Sequence, residues 1–352
     1  MTFFRWTGFI EELNQKIRHI FASQVLDILL LVLCVDLSIS MIARMDSTDL
    51  KSVIAFIFCY ISSAVAWYAM RYKRKDINSL LESLKRINST FNDKAINVLV
   101  FVDCCLPVIF AAIYTYAMSE TEVLSSYSYG FDLKHYWVAR ILIIVKIYFY
   151  YVLYPSTTNI VALFYASLCW CCSVHINMLT KEIDQHLTDL FVLSEQVNIL
   201  KRKKNNCDIL NNIQDVFSVP IFFIILANVF MCSAITGGLL IRNDRKIPLP
   251  MRLGLTYYLM NAILCVFITL WIAGRVPIEI KKFKDTFYKK AQERLLLRIA
   301  NTEELQLKID FINEPYFELT GFDILPIRRS TIFALIGTLF TYTVLVINTD
   351  AT

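Results

Sequence analysis

The chain contains few charged residues, few glycines and few histidines for its length. Of its 352 residues, 18% are charged, 8 are glycine and 4 are histidine, whereas 57% are hydrophobic. The mean hydropathy is +0.52. Soluble globular domains carry about 25% charged residues, so the composition excludes that class. It predicts an all-α polytopic protein embedded in a lipid bilayer.

The scarcity of histidine and glycine also excludes the common catalytic signatures. The histidines, His19, His135, His175 and His186, are not spaced with a second histidine or a carboxylate as zinc and acyl-transfer motifs require. The sequence contains no glycine-rich phosphate loop and no nucleophile elbow. We therefore expect no enzymatic activity, no cofactor and no metal site. His186 lies in a polar segment that we interpret as a solvated helix face.

Seven apolar runs are long enough to cross a membrane, because about 20 helical residues span the hydrocarbon core. The runs are 24–43, 50–70, 95–118, 136–172, 219–241, 251–273 and 327–349, and they predict a single seven-helix domain over residues 1–352. The fourth run exceeds one crossing and contains Pro155, so we interpret it as one kinked or extended helix. If the fourth run instead formed two short helices, it would add one crossing, and every later loop would lie on the opposite side of the membrane.

The basic residues predict the orientation of the bundle. With seven crossings, the lysine and arginine clusters at 71–75, 201–204 and 275–298 all lie on one side. Short loops rich in lysine and arginine remain in the cytosol, so the N-terminus is predicted to be cytoplasmic and the C-terminus extracellular. The loop 242–250 is basic and is the one that argues against this orientation. G-protein-coupled receptors have the opposite orientation, so the charge pattern disfavours that class.

The long inner connectors, 173–218 and 274–326, have a helical pattern. Segments 76–86 and 292–309 place apolar residues at helical spacing among alternating charges. We expect membrane helices that continue past the bilayer and pack together there as an anchor region. Amphipathic connectors lying on the membrane surface are the alternative.

Three ionisable residues lie near the middle of apolar runs: Asp36, Asp103 and Lys146. A charge at that depth costs about 2.5 to 3.5 kcal/mol on insertion scales, so it is normally paired or functional. We expect Lys146 to form an intramembrane ion pair with Asp103 or Asp36 between neighbouring helices. A structural bridge is the favoured role, and contact with a ligand is the alternative.

Tyrosines concentrate toward the predicted outer halves of several runs. The deeper ones are Tyr114, Tyr148, Tyr151 and Tyr258. A cavity among them would combine apolar walls with a few hydroxyl groups that orient a small organic ligand. Ordinary core packing of these rings is the competing interpretation.

The last apolar run carries an uncharged polar stripe. Thr331, Thr338, Thr341 and Asn348, with Leu345 between them, recur three, four or seven residues apart and share one helical face. Such a face is typical of a helix that lines a narrow aqueous pore. Close helix packing through small residues is an equal alternative on spacing alone.

The same run resembles a known family signature. Residues 341–348 read Thr-Tyr-Thr-Val-Leu-Val-Ile-Asn, which is similar to the C-terminal signature of the insect gustatory and odorant receptor superfamily: Thr-Tyr, five mostly apolar residues, Gln and Phe. Asn348 and Thr349 stand where the family has Gln and Phe. Segments 321–323 and 328–330 also look like the family's approach to its last helix, and the predicted topology agrees with the family.

The resemblance implies a gustatory receptor-like chemoreceptor of the plasma membrane. In that family four subunits surround a pore lined by the last helix, and a small organic ligand bound in the outer half of each bundle opens a cation channel. By motif position, Leu345 and Thr349 correspond to the family's pore-constricting residues, and Asn348 corresponds to its glutamine. Thr338 and Thr341 would line the same pore.

The expected partners follow from the same resemblance. They are a small organic ligand, permeating cations, the lipid bilayer and identical or related subunits of a tetramer, with no nucleic acid. A seven-helix receptor or transporter without its own pore, acting through a cytosolic partner at the basic inner loops, remains the alternative.

Overall fold

The structure is a computed structural model that describes residues 17–43, 50–86, 93–117, 136–241, 249–297, 302–312 and 317–350. Within these ranges the chain is mostly helical, with short connecting segments and one hairpin made of two two-residue strands. The helices are α1 (Ile17–Ala43), α2 (Leu50–Tyr72), α3 (Arg74–Arg86), α4 (Asp93–Ala117), α5 (Tyr136–Tyr151), α6 (Thr157–Gln185), α7 (Leu193–Ile241), α8 (Leu249–Ala273), α9 (Arg275–Leu296), α10 (Thr302–Ile312) and α11 (Arg329–Asp350). The predicted all-α polytopic class is confirmed.

Five segments of the described residues are long and apolar enough to cross a membrane. They are Leu50–Tyr72, Ile96–Tyr116, Arg140–Gln185, Leu193–Gly237 and Arg252–Leu296. Their backbone groups are hydrogen-bonded within each helix, as hydrocarbon requires. The first predicted span, 24–43, lies within α1, and the last, 327–349, covers the two residues before α11 and all of α11 but its final residue.

The fourth apolar run forms one continuous bent segment. A π-helical turn, Val152–Ser156, joins α5 to α6, and Tyr154 within it has non-helical φ and ψ of −151° and 128°. Pro155, which has no backbone N–H to donate, lies in this turn. The regular helix is therefore interrupted by a kink at Tyr154, and α6 continues beyond the kink to Gln185.

Helix α7 is the central element of the bundle. It contains 49 residues, which at about 1.5 Å per residue correspond to roughly 74 Å. The hydrocarbon core is about 30 Å thick, so much of α7 lies beyond the membrane at the end that the sequence assigns to the cytosol, here called the inner end. Along its length α7 packs against α2, α6, α8 and α11.

The helices at the inner end continue the apolar core of the bundle. Helix α3 buries Ile77, Leu80, Leu81 and Leu84, the spacing of one helical face. Each buried leucine or isoleucine side chain contributes about 1.5 to 3 kcal/mol. Aromatic rings from several elements close the core, with centroids 5.0 to 6.3 Å apart; they belong to Phe191, Phe283, Phe287 and Phe311.

The segment 292–309 is not one helix, in contrast to its periodicity. Helix α9 ends at Leu296 and α10 begins at Thr302. The guanidinium of Arg294 lies 3.1 Å from the carboxylate of Glu304, and both side chains are at most 6% exposed. Ten residues of straight helix would span about 15 Å, so this ion pair requires the chain to turn back.

A short hairpin leads into the last helix. Strands β1 (Thr320–Gly321) and β2 (Leu325–Pro326) pair antiparallel, and Phe322 and Asp323 adopt φ of 53° and 54° in the turn between them. Gln214 of α7 holds the hairpin by donating its amide to the carbonyl of Thr320 at 2.8 Å and accepting from its backbone N–H at 2.9 Å. The approach to α11 is therefore docked on α7.

Candidate functional site

Lys146 pairs with Asp36 in the structure. Its Nζ lies 3.2 Å from Asp36 Oδ2, and the hydroxyl of Tyr150 donates to the same oxygen at 2.7 Å. Lys146 Nζ also lies 3.4 Å from Ser40 Oγ. The pair joins α1 to α5 in the middle of the bundle, and it satisfies the charge that each helix would otherwise present to hydrocarbon.

Asp103 has a different environment. It is 5% exposed, and its Oδ1 accepts a hydrogen bond of 2.7 Å from Asn159 Nδ2. The same amide nitrogen lies 2.9 Å from Asn261 Oδ1. Three helices, α4, α6 and α8, thus meet at one carboxyl group and two carboxamides. The sequence left Asp36 and Asp103 as possible partners of Lys146, and the structure pairs Lys146 with Asp36.

A second intramembrane ion pair was missed by sequence reasoning. Arg71 donates to Asp27 Oδ2 through Nε at 3.0 Å and Nη2 at 2.9 Å, and Trp67 Nε1 donates to Asp27 Oδ1 at 3.0 Å. The pair ties α1 to α2. An aspartate within the first apolar run and an arginine at the end of the second were the available signal.

Three of the four tyrosines expected near the ligand site, Tyr114, Tyr151 and Tyr258, come together with Tyr257 and one glycine. The ring of Tyr151 stacks on Tyr258 at a centroid distance of 5.0 Å and meets Tyr257 edge-on at 5.6 Å. A Cβ on Gly254 would lie 3.4 Å from the Tyr151 hydroxyl and 3.6 Å from the ring of Tyr114. These residues are called the tyrosine cluster below.

Tyr148 is placed apart from the stacked pair. It lies one turn before Tyr151, but its ring contacts Phe149 at 5.2 Å. Phe110 of α4 instead completes the tyrosine cluster, with its ring stacked 4.0 Å from Tyr257. Sequence reasoning missed Phe110, Tyr257 and Gly254, because helical spacing predicts a shared face but not the neighbouring helix.

A buried amide fixes the bend next to this cluster. The hydroxyl of Tyr154 donates to Asn228 Oδ1 at 2.9 Å, and Asn228 Nδ2 donates to the carbonyl of Ile224 at 2.7 Å. Both side chains are fully buried. A carboxamide inside an apolar run needs such partners, so the asparagines of the predicted spans were a usable signal for polar contacts between helices.

The last helix packs against its own bundle along one side. Ile332, Leu335 and Leu339 rest on the core, where α11 meets α7 and α8. The opposite side carries large apolar side chains that are 41% to 75% exposed; they are Phe333, Ile336, Phe340 and Val344. This side also includes Gly337, where an added Cβ would meet no atom within 4 Å.

The threonines of the polar stripe have two different environments. Thr338 and Thr341 are exposed, and their hydroxyls donate to the carbonyls of Ala334 and Gly337, four residues earlier, at 3.0 and 2.9 Å. Thr331 is 7% exposed and donates to the carbonyl of Pro326 at 2.6 Å. The stripe therefore begins at Thr338, since Thr331 is part of the buried start of α11.

The predicted gate residues lie farther along α11. Leu345, Asn348 and Thr349 belong to the helix by backbone, and their side chains are outside the described residues. Tyr342 of the signature is described, and its hydroxyl would lie 3.5 Å from a Cβ on Gly237 of α7. The signature tyrosine thus holds the last helix against the central one.

The inner end of α8 contacts the start of α11. The guanidinium of Arg329 lies 4.2 Å from the ring centroid of Trp271, a cation–π contact. A Cβ on Gly274 would lie 2.9 Å from the backbone nitrogen of Arg329, so only glycine permits this approach. Helix α8 therefore carries part of the tyrosine cluster near one end and contacts the last helix at the other.

One group of possible metal ligands lies at the inner end of α6 and α7. One side-chain atom each of Glu182, His186 and Glu195 lie within 4.8 Å of one another, with His186 Nε2 3.9 Å from Glu195 Oε1. Arg202 already binds Glu182 at 2.7 Å. The arrangement is a half-buried charge network, and it places His186 in contacts that the solvated-face interpretation did not include.

The fold has a match among solved structures. The structure of the insect olfactory receptor OR5 from Machilis hrabei superposes with a TM-score of 0.65, covering 95% of this chain and 91% of that chain at 14% sequence identity. The chain has the fold of an insect olfactory receptor. No protein-family model and no curated protein matches the sequence.

This olfactory receptor fold confirms, at the level of the fold, the resemblance that the last helix suggested. The match extends over nearly the whole of both chains, whereas the sequence similarity lies in the segment that approaches and forms α11. The protein is accordingly a membrane protein with an olfactory receptor fold. Among the described residues, the tyrosine cluster and the uncovered side of α11 are the features on which a function is proposed below.

Proposed function

We propose that the protein is a gustatory receptor-like chemoreceptor of the plasma membrane, a ligand-gated non-selective cation channel opened by a small organic tastant. Four copies, or this chain with related chains, assemble around a pore lined by α11. The observation that carries this proposal is the uncovered side of α11, together with the olfactory receptor fold.

The one-sided packing of α11 favours assembly over a lone bundle. Its uncovered side combines large apolar residues with Gly337, Thr338 and Thr341. The two hydroxyls are satisfied within the helix, so they tolerate either lipid or water. A face that mixes Phe333 and Phe340 with small polar residues fits contacts to other copies on one flank and a lumen on the other.

The tyrosine cluster is the proposed ligand site. Its rings come from α4, α5 and α8, and Gly254 adds no side chain of its own next to the hydroxyl of Tyr151 and the ring of Tyr114. Apolar walls with a few hydroxyls suit a small organic molecule. Tyr148 and Tyr258 complete the set proposed from the sequence, with Tyr258 in the cluster and Tyr148 one turn away.

Helix α8 is the proposed route from ligand to gate. From Gly254 to Gly274 it covers 20 residues, about 30 Å, and its inner end contacts Arg329 at the start of α11. A ligand that binds the open form more tightly shifts the equilibrium toward it. Small displacements of α8 would reach α11 through this contact, because packed helices move as units.

The gate is proposed at the outer end of α11. Four Leu345 side chains would close the pore by dewetting, Asn348 would provide a polar ring, and Thr349 would form a second, more permissive constriction. Asp36 and Lys146 have no part in conduction and hold α1 to α5.

Expression of the chain alone in oocytes tests the proposal. We expect a ligand-evoked cation current, and Leu345→Ser should raise the resting current several-fold because it removes the hydrophobic barrier. Val344→Ser is the matched control, since it makes the same change about 100° around the helix. Surface labelling shows that each variant reaches the membrane.

Two results would contradict the proposal: the first would exclude an intrinsic channel, and the second would exclude a gate at Leu345. Surface-expressed chains that give no current alone or with related receptors would favour the pore-free receptor or transporter that acts through a cytosolic partner. Equal resting currents in wild type and in a correctly assembled Leu345→Ser variant would remove the gate from this position.

A further inference from the structure

A groove in the membrane-embedded surface lies beneath the tyrosine cluster. Helices α4, α6 and α8 enclose a volume of about 180 Å³. Its polar floor is formed by Asp103, Asn159 and Asn261. Its rim consists of apolar side chains that are exposed in the bundle and face the hydrocarbon; they are Leu99, Val102, Leu264 and Ile268.

The floor of the groove leaves one carboxylate oxygen without a partner. Asn159 Nδ2 donates to Asp103 Oδ1 at 2.7 Å, and Asn261 Nδ2 approaches Asn159 Oδ1 at 3.3 Å. Asp103 Oδ2 is buried and has no hydrogen bond from any described residue. The hydroxyl of Tyr257, one turn outward of Asn261 on α8, also lacks a hydrogen-bond partner among the described residues.

The other two aspartates within the predicted spans each have a cation. Asp27 binds Arg71 and Asp36 binds Lys146, whereas the partner given to Asp103 is an amide. An ionised carboxylate at mid-membrane needs an opposite charge or extra hydrogen-bond donors. Asp103 lines the groove, and a buried unpartnered carboxylate oxygen calls for a donor. Because Oδ2 is itself covered, the side chain has to turn toward the groove to meet that donor.

We propose that this groove binds a small protonated organic amine that enters from the lipid. The ammonium group donates to Asp103 Oδ2, the carbonyl oxygens of Asn159 and Asn261 accept its remaining protons, and an apolar tail lies along the rim. At about 30 Å³ per water-sized group, the volume holds roughly six groups. A short alkylamine matches this size.

The proposal is a binding site and does not require the chain to conduct ions. It is also separate from the tyrosine cluster, which lies outward along α8 at Gly254, Tyr257 and Tyr258. The open rim between α4 and α8 gives access from the bilayer, where an amine partitions in its neutral form. On binding, the protonated Asp103 carboxyl transfers its proton to the amine nitrogen, and the ammonium–carboxylate pair forms.

Binding to the purified full chain in lipid nanodiscs tests the proposal. Tritiated hexylamine is the probe, hexanol is its uncharged isostere, and nanodiscs without protein give the partition background. We expect saturable hexylamine binding that falls at least tenfold in Asp103→Asn, while hexanol binding changes little. Asp76→Asn, at an exposed aspartate of α3, is the matched loss of one negative charge and should bind as wild type does.

A second variant tests the same site if Asp103→Asn does not fold. Leu264→Trp fills the groove from the rim and keeps Asp103, so it should reduce the binding of both probes in a protein whose melting temperature is close to wild type. Absence of saturable hexylamine binding to the wild type, unchanged hexylamine binding in Asp103→Asn, or parallel losses of both probes in that variant would each overturn the proposed amine site.

Discussion

Gly274 lies so close to Arg329 that a Cβ on the glycine would be 2.9 Å from the arginine's backbone nitrogen. The same Cβ would lie 2.7 Å from the carbonyl oxygen of Leu270. Both neighbours are backbone atoms, which cannot move away as a flexible side chain does. The junction of α8 and α9 therefore packs directly against the backbone of Arg329, the first residue of the last helix, with no room for a side chain at Gly274.

Gly274→Ala should separate these two elements. Overpacking of this kind costs about 1 to 3 kcal/mol, so we expect a lower melting temperature and a loss of most ligand-evoked current per surface molecule. Thermal melting in detergent and surface-normalised current measure the two effects. Gly321→Ala is the control, because an added Cβ there would have its nearest neighbour at 3.4 Å, an ordinary van der Waals distance; equal effects of the two substitutions would contradict the close contact.

Lys146→Met should reduce the amount of folded protein at the cell surface. It leaves Asp36 with only a hydroxyl partner in a low-dielectric environment, and breaking a buried ion pair costs about 3 to 5 kcal/mol. Surface biotinylation gives the measurement. Adding Asp36→Asn should restore much of the yield, because the unpaired charge is gone.

A comparison pair lies at the inner end. Lys73 and Asp76 are 3.6 Å apart and are 38% and 59% exposed, and such surface pairs contribute about 0 to 1 kcal/mol. Lys73→Met should therefore leave the surface yield nearly unchanged. A similar loss in both variants would indicate that Lys146 acts through something other than its buried pair.

Arg294→Lys should destabilise the inner bundle although it keeps the charge. Arg294 binds both oxygens of Glu304 at 3.1 Å and the carbonyls of Thr188 and Asp189 at 2.8 and 3.1 Å. A lysine cannot reproduce this forked set of contacts. We expect a fall in melting temperature that exceeds that of Lys290→Met, whose partner Glu293 is 42% exposed; the reverse order would contradict the role of the buried pair.

Glycosylation mapping tests the orientation. The acceptor Asn88-Ser89-Thr90, which lies outside the described residues, is predicted to be cytosolic, so glycosidase treatment should not change the mobility of the wild type. Ser126→Asn creates an acceptor with Ser128 in a segment predicted to be outside, and this variant should shift. A shift of the wild type would reverse the orientation.

Helical periodicity predicted the faces of the helices but not their neighbours. It placed Lys146 and two aspartates at similar depth, yet the choice of Asp36 depends on α1 lying beside α5, which local pattern does not encode. Tyr148 and Tyr151 share a face one turn apart, and their rings still contact different partners. The apolar spacing of 292–309 continues through the turn that the Arg294–Glu304 pair requires.

Other features had a signal that could have been used. Asn159, Asn228 and Asn261 interrupt apolar runs, and carboxamides in hydrocarbon need partners, so they marked the polar contacts between helices. Glycines were harder to interpret. Gly254, Gly274 and Gly337 look alike in the sequence, but one borders the tyrosine cluster, one permits a close backbone approach and one meets open space.

Because α11 packs against its own bundle on one side only, the proposed assembly depends on how many copies lie in the same area of membrane. If neighbouring copies cover its free side, the fraction of finished assemblies rises steeply with the number of chains per area. A sensory cell could then adjust its threshold by trafficking more or fewer molecules to a patch of membrane, with no change in the affinity of any single molecule for its stimulus.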